Sequence, residues 1–195
     1  MKLLLGFASA VAILFSIACS PPPPHQKLIV GMELAYPPFE MTDEQGRPAG
    51  VSVDLAKALG ASLGREVDVQ NFPFDGLIPA LKTGKINLII SSMTATAERA
   101  QSIDFSEPYL KTGLCLLVGK DSRIQSIGDL DQAGKTVAVK LGTTGHTYAQ
   151  QAIKQAKVLV LEKGRIIQSG RHESLLAQGG LYRQLVERQE LVVNA

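Results

Sequence analysis

Three short apolar runs alternate with two amphipathic segments in the first half of the chain, an order that predicts an open α/β sheet. The predicted strands cover residues 27–31, 66–71 and 86–90, and the predicted helices cover residues 51–63 and 75–84. A β-α-β-α-β order gives parallel strands joined by right-handed crossovers, so the three carboxyl ends meet at one edge of the sheet. We expect Asp75 to cap the second helix and Gly84 to end it. The inward face of the first helix is predicted as Val51, Leu55, Ala58, Leu59 and Ser62.

The third apolar run changes abruptly into hydroxyl residues and a single arginine. Ser91, Ser92 and Thr94 follow directly after the strand, and Arg99 comes five residues later. Open α/β sheets bind ligands at their carboxyl edge, and the planar guanidinium of Arg99 suits a carboxylate. The alternative is a strand end with a capped helix and a solvated arginine, and this stretch alone does not separate the two.

Aromatic residues follow the other two predicted strands. Tyr36 lies before Pro37 and Pro38, which stop the first strand and stiffen the loop, and Phe74 follows the second strand. Aromatic rings, hydroxyls and one arginine at the same edge make a pocket suited to a small zwitterion.

The second half of the chain predicts a second, smaller sheet. Residues 110–120 read as an apolar crossover strand that buries Cys115 as an inert thiol. A short helix at 127–130, a strand at 135–140 and a helix at 146–154 follow. The turn between the last two contains Thr143 and Thr144 and is of the anion-binding type.

The last segment predicts a β-hairpin followed by helices. Strands at 158–161 and 165–168 are joined at Lys163-Gly164, a hairpin signal. A helix at 172–178 stops at two glycines, and another covers 181–189.

Residues 1–19 have the form of a bacterial lipoprotein signal peptide. Lys2 precedes a short apolar stretch that ends at Ala18 and Cys19, so Cys19 is expected to be the lipidated residue. An ordinary secretory signal or a single anchor helix remains the alternative, because Ser16 stands where such signals usually have leucine. Residues 20–26 read as a proline-rich linker. Together these features predict an exported protein, periplasmic or at the cell surface, anchored to the membrane.

The composition argues against several kinds of binding site. The chain has 195 residues, 45% hydrophobic content and a net charge of +2, which argues against nucleic-acid binding. Two cysteines and three scattered histidines predict no metal site, and nothing indicates a cofactor. The GKT at residues 134–136 has the wrong glycine spacing for a phosphate loop and precedes a strand, so no ATP binding is expected.

Several motifs in order resemble the bacterial extracellular solute-binding proteins of family 3, which serve ABC importers of amino acids. The motifs are AYPPFE, GVSVDLAKAL, FDGLIPALKTGKINLIISSMTATAER and IDFSEPY, and the resemblance covers about residues 27–150. It implies a type II periplasmic-binding-protein-like α/β fold, with an amino acid held between two lobes and delivered to a membrane permease. The first lobe would be nearly complete over 27–112. The second, over 113–155, would be truncated and continued by the hairpin and helices.

The resemblance also implies roles for individual residues. Arg99 would pair with the ligand α-carboxylate, and Thr144, with Thr143 beside it, would donate from the opposite lobe. Glu33 would sense the distal group of the ligand, where an acid favours a cationic or amide side chain. The other implied ligand contacts are the hydroxyl residues Ser91, Ser92 and Thr94 and the aromatic residues Tyr36 and Phe74.

Residues 156–195 depart from that family. The phrases LEKGRIIQSG, HESLLAQGG and LYRQL, within 156–189, resemble the C-terminal end of the ATPase domain of ABC exporters, without its catalytic motifs. The chain is therefore interpreted as a hybrid whose tail either extends the second sheet or does not dock.

The expected function is an amino-acid-binding lipoprotein, impaired by the truncated second lobe, with no enzymatic activity. One alternative is a non-functional fusion or truncated product. A second is an enzyme similar to cyclohexadienyl dehydratase, for which Glu33 is the one nearby acid or base.

Overall fold

The computed structural model describes residues 27–180, 182–184 and 187. The predicted signal peptide, Cys19, the proline-rich linker and most of the predicted helix at 181–189 lie outside the described residues. Within the described part, no helix is both long enough and apolar enough to cross a membrane.

The described residues form nine strands, six α-helices and a 3-10 turn at Phe74–Gly76. The strands are β1 Leu28–Met32, β2 Ala35–Tyr36, β3 Glu40–Thr42, β4 Pro48–Ala49, β5 Val67–Asn71, β6 Leu88–Ile89, β7 Thr136–Lys140, β8 Lys157–Glu162 and β9 Arg165–Gly170. The helices are α1 Val51–Ser62, α2 Leu77–Lys82, α3 Ala97–Ala100, α4 Ile127–Leu130, α5 Thr144–Ala152 and α6 His172–Gln178.

A parallel sheet of order β5-β1-β6, called here the N-terminal sheet, confirms the predicted β-α-β-α-β arrangement. Its two faces are covered by different helices, because alternate residues of β1 point to opposite sides. Val30 and Met32 are fully buried in a cluster with α1, whereas Ile29 packs in a separate cluster with α2. Strands β2, β3 and β4 form a small antiparallel sheet beside the site described below.

Helix α1 has the predicted length, but of its predicted inward residues only Leu59 packs against the core. Val53, Ala56 and Gly60 are buried, whereas Val51 is 53% exposed. The physical reason is close packing, since a Cβ atom on Gly60 would collide with Val67 in β5. The periodicity of apolar residues predicts that the largest side chains face the sheet. In this helix, small residues face the sheet instead and allow close packing.

The predicted cap of α2 is also wrong. Asp75 lies inside the 3-10 turn, and the residue at the N-cap of α2 is Gly76, with no side-chain cap. The predicted helix end is confirmed, because Gly84 adopts the left-handed conformation with φ of 72°.

A second sheet of order β7-β8-β9, called here the C-terminal sheet, confirms that the hairpin extends the second sheet. Strands β7 and β8 are parallel, and β8 and β9 are antiparallel. Lys163 and Gly164 both have positive φ, 48° and 74°, as a tight two-residue hairpin requires. Val158, Leu175 and Tyr182 are fully buried in one cluster with residues of α5, so the described part of the tail docks.

The predicted strand at 110–120 is wrong. The described sheets do not include this segment, Leu117 is 99% exposed, and Cys115 is exposed rather than a buried thiol. An apolar run shows that a segment can form a strand, but a strand also needs a neighbour for its backbone N–H and C=O groups. In the described residues this segment has no such neighbour.

We predict that buried His146 makes the fold lose stability in acid. Burial lowers the pKa of His146 to about 4 from 6.5, because its ring is fully buried. The unfolded chain therefore takes up a proton first, and the free energy of unfolding should fall by up to about 3 kcal/mol between pH 6.5 and pH 4.

Urea unfolding of His146→Asn against the unchanged chain across this pH range measures that effect. Asparagine offers an acceptor near the position of Nδ1, which accepts from the Gly142 N–H at 3.4 Å. The free energy of unfolding of the variant should depend less on pH than that of the unchanged chain. Equal pH dependence in the two proteins would show that His146 does not cause the loss of stability in acid.

Candidate functional site

Arg99 lies where the two sheets meet. Helix α3 begins just before it, and the Thr96 side chain caps that helix by accepting from the Arg99 backbone N–H at 3.2 Å. The guanidinium donates to the carbonyl oxygen of Thr94 at 2.7 Å and to that of Gly142 at 2.9 Å. It also lies 5.5 Å from the centre of the Phe74 ring. Arg99 and Phe74, which follow different predicted strands, thus lie close together.

Gly142 allows this approach because it has no side chain. Its φ is 72°, a left-handed conformation, and a Cβ atom there would lie 3.1 Å from the Asp75 Cβ. The turn after β7 therefore packs directly on the segment after β5. A larger residue would be strained by the positive φ and would crowd Asp75.

Burial disfavours the charged form of Arg99 and lowers its pKa. The guanidinium remains protonated, since an arginine pKa lies far above neutral pH. A partly desolvated cation that donates to neutral carbonyl groups is well placed to receive a carboxylate, which is a stronger acceptor.

Ser91 and Glu33, which follow neighbouring strands, are joined by a hydrogen bond. Ser91 is buried, and its hydroxyl oxygen accepts from the Glu33 backbone N–H at 2.9 Å. The Glu33 carboxylate forms an ion pair with the ammonium of Lys140, the last residue of β7. This ion pair links the two sheets, and Lys140 was not predicted as a site residue.

Ser92 is held by a buried carboxylate that the sequence analysis also missed. Ser92 has a positive φ of 49°, and its hydroxyl donates to Glu40 Oε2 at 3.0 Å. Ser52 at the start of α1 donates to the same oxygen at 2.6 Å. Burial raises the pKa of Glu40, and the two hydroxyl donors act in the opposite direction. Glu40 thus fixes the backbone turn that follows β6.

Thr143 and Thr144 occupy the start of α5. The Thr143 hydroxyl accepts from the His146 N–H at 3.2 Å and donates to the Lys140 carbonyl at 2.8 Å, so it serves as the helix cap. Thr144 is the first residue of α5, where backbone N–H groups lack partners within the helix.

Tyr36 and Thr94 are the outlying members of the predicted set. Tyr36 is 55% exposed, and its ring stacks on Phe39 with centres 5.9 Å apart. Thr94 contributes its backbone carbonyl to Arg99, and its side chain is exposed. Three further residues shape the site, namely Lys140, Glu40 and Gly142. Glu40 ends the AYPPFE motif and Lys140 ends a strand, but neither position by itself shows what its side chain contacts.

We predict that Glu40→Ala destabilises the fold by about 2 kcal/mol, because it removes a charged acceptor from two buried or half-buried hydroxyls. Urea unfolding measures this loss. Glu44→Ala removes an acid from an exposed turn nearby and should change stability by less than about 0.5 kcal/mol. Equal effects of the two substitutions would show that the Glu40 hydrogen bonds are not important.

The chain is 44% identical over 118 residues to the arginine-binding extracellular protein ArtP of Bacillus subtilis, covering 60% of this chain and 45% of that protein. It is 36% identical over 152 residues to the histidine-binding periplasmic protein of Salmonella typhimurium, covering 77% of this chain and 55% of the relative. The chain thus spans about half the length of these curated relatives.

Solved structures show the same fold. An ancestral arginine-binding protein bound to arginine matches with a TM-score of 0.65 and 40% identity, covering 71% of this chain and 62% of that one. An ancestral amino-acid-binding protein, described as a precursor of cyclohexadienyl dehydratase, matches with a TM-score of 0.67 and 42% identity, covering 69% and 60%. These neighbours confirm a type II periplasmic-binding fold, of which the described residues form a part.

The family model of bacterial extracellular solute-binding proteins, family 3, matches residues 28–188, most of the chain and nearly all of the described residues. The matched range also includes the hairpin and α6. The chain belongs to the bacterial extracellular solute-binding proteins, family 3.

Proposed function

We propose that this chain binds a free amino acid as the substrate-binding component of an ABC importer, with Arg99 as the receptor for the α-carboxylate. The observation that carries the proposal is the position of the Arg99 guanidinium, over the Phe74 ring and against the Gly142 turn. The names of arginine- and histidine-binding relatives support an amino-acid ligand.

The Arg99 contacts suggest how binding proceeds. Gly142 presents a neutral carbonyl to one guanidinium nitrogen, and a ligand carboxylate is the better acceptor for that N–H group. Once the carboxylate takes this place, the N–H groups at the start of α5 and the Thr144 hydroxyl can donate to it from the other side. The two sheets would then be linked through the ligand, and closure would depend on these additional contacts.

We propose that the affinity is limited by a ligand ammonium that lacks an acidic partner. The contacts described from the C-terminal half of this site come from Lys140 and the turn that ends at Thr144. These groups can receive a carboxylate, but they do not offer an acid to the ligand ammonium. An unpaired ammonium in a closed site costs free energy.

The described part of the tail contributes packing. Strands β8 and β9 and helix α6 complete the C-terminal sheet and its core. We therefore propose that residues 156–189, despite their resemblance to an exporter ATPase, support the fold and take no part in ATP hydrolysis. The relatives are named as binding proteins, which supports a chain that binds its ligand without converting it. Absence of prephenate turnover would agree with this proposal.

We predict that Arg99→Gln weakens amino-acid binding at least about 100-fold, because the ligand carboxylate loses a charged partner that can form a bidentate hydrogen-bonded pair with it. Isothermal titration calorimetry with a panel of amino acids measures the dissociation constants. Arg123→Gln is the matched control, since Arg123 is exposed and far from the site in sequence. Unchanged affinity in Arg99→Gln would refute the proposed carboxylate receptor.

We further propose that Cys19 carries the lipid anchor, which holds the protein beside its permease at the membrane. The Cys19→Ala protein should move from the membrane fraction to the soluble exported fraction, because two or more acyl chains are needed for stable attachment. Fractionation followed by immunoblotting measures this, with Cys115→Ala as the control cysteine. Equal membrane retention of both variants would contradict the anchor.

A further inference from the structure

We infer that His146 is a positioning residue for the amino-acid site and that it connects the Gly142 turn to the docked tail. The observation is a series of polar groups that runs from the Arg99 guanidinium to Tyr182, a fully buried residue of the tail. The inference rests on the proposed function, because the Gly142 turn is the part of the C-terminal half that would receive the ligand carboxylate.

The backbone of the Gly142 turn is fixed by His146 at two points. The Gly142 N–H donates to the His146 Nδ1 at 3.4 Å, and the His146 N–H donates to the Thr143 hydroxyl oxygen at 3.2 Å. Gly142 has a φ of 72° and its carbonyl accepts from Arg99, so the Nδ1 contact holds the same residue that faces the site. A shift of this turn would move both that carbonyl and the N–H groups at the start of α5.

The contact at Nδ1 determines where the imidazole carries its proton. His146 is fully buried, and burial lowers its pKa to about 4, so the ring is neutral at neutral pH. A neutral ring that accepts at Nδ1 carries its proton on Nε2. Nε2 is buried, and it has no hydrogen-bond partner among the residues that the structure describes. This N–H group therefore needs an acceptor close by.

Gln150 supplies that acceptor. It lies one helical turn after His146 on α5, which places the two side chains on the same face of the helix. Its amide NH₂ group donates to the Tyr182 carbonyl at 3.2 Å, so Oε1 is its acceptor end. Oε1 is also buried and has no partner in the described part of the chain. A buried donor and a buried acceptor on adjacent turns satisfy each other directly or through one water molecule.

Tyr182 is itself held by the rest of the tail. Its N–H donates to Gln168 Oε1 in β9 at 3.0 Å, and its hydroxyl oxygen is 2.9 Å from His172 Nδ1 in α6. Its ring is fully buried, and the ring centre is 5.8 Å from that of His146. A tail that docks in this way fixes the Gln150 amide and, through it, the imidazole.

The tautomer of the imidazole gives a first test on the unchanged full chain. NMR of the ring nitrogens at neutral pH should show His146 with its proton on Nε2 and with Nδ1 unprotonated. The spectrum of His146→Asn assigns the signal, because it lacks only this ring. A proton on Nδ1 would overturn the inference, since that nitrogen could not then accept from Gly142.

Calorimetry on the full chain separates positioning from a merely structural role. The probe is the standard amino acid that the unchanged protein binds most tightly. His146→Leu should weaken its binding at least about 10-fold, because the Gly142 N–H loses its acceptor. His146→Asn keeps an acceptor near Nδ1 and should recover most of that affinity. Ile153→Val loosens the same core at the other end of α5 and should leave the affinity unchanged.

Gln150→Met tests the connection to the tail. It keeps the length of the side chain but removes both polar atoms, and it should weaken binding of the probe at least about 5-fold. Gln151→Met makes the same change at the next position of α5, which is exposed, and should have no effect. Equal affinities in these two variants would overturn the connection to the tail.

Unchanged affinity in a folded His146→Leu protein would overturn the inference, and a large loss of affinity in Arg99→Gln would still leave the proposed function standing. Absence of binding for every amino acid would overturn both. If His146→Leu fails to fold, the tautomer of the unchanged protein and the affinity of Gln150→Met decide, since neither measurement needs that variant.

Discussion

The packing of the Gly142 turn against the Arg99 guanidinium is the contact on which the site depends. The guanidinium donates to the Gly142 carbonyl at 2.9 Å, so one side chain from the N-terminal half holds the backbone of the C-terminal half. This contact requires a residue without a Cβ atom, because Gly142 adopts a positive φ and lies against Asp75. Phe74, Lys140 and the start of α5 come together around this point as a result.

Two carboxylates near that contact have different roles because their surroundings differ. Glu40 is almost fully buried, receives two serine hydroxyls and stabilises the turn that presents Ser92. Glu33 is partly exposed and pairs with Lys140 across the two halves. A buried acid with neutral donors serves structure, and a partly exposed acid with a charged partner can take part in recognition. The two glutamates thus differ both in burial and in the charge of their partners.

The C-terminal sheet shows how a parallel strand and an antiparallel hairpin combine into one core. Strand β8 adds in parallel to β7, and the hairpin returns β9 on its other side. Val158, Val160, Leu175 and Tyr182 are all fully buried in the core of that half. The docking is stable because each added strand satisfies backbone hydrogen bonds of the sheet and buries an apolar face.

The sequence by itself determined the β-α-β-α-β order of the parallel N-terminal sheet, the hairpin at Lys163-Gly164 and the position of Arg99 after a strand end. These follow from local periodicity, turn residues and the rule that parallel strands end at one edge. Only the tertiary structure decided which face of α1 is buried, that residues 110–120 lack a strand partner, and that Lys140 pairs with Glu33. Such outcomes depend on which groups from distant parts of the chain come close enough to touch. The local pattern of apolar and polar residues does not contain those distances.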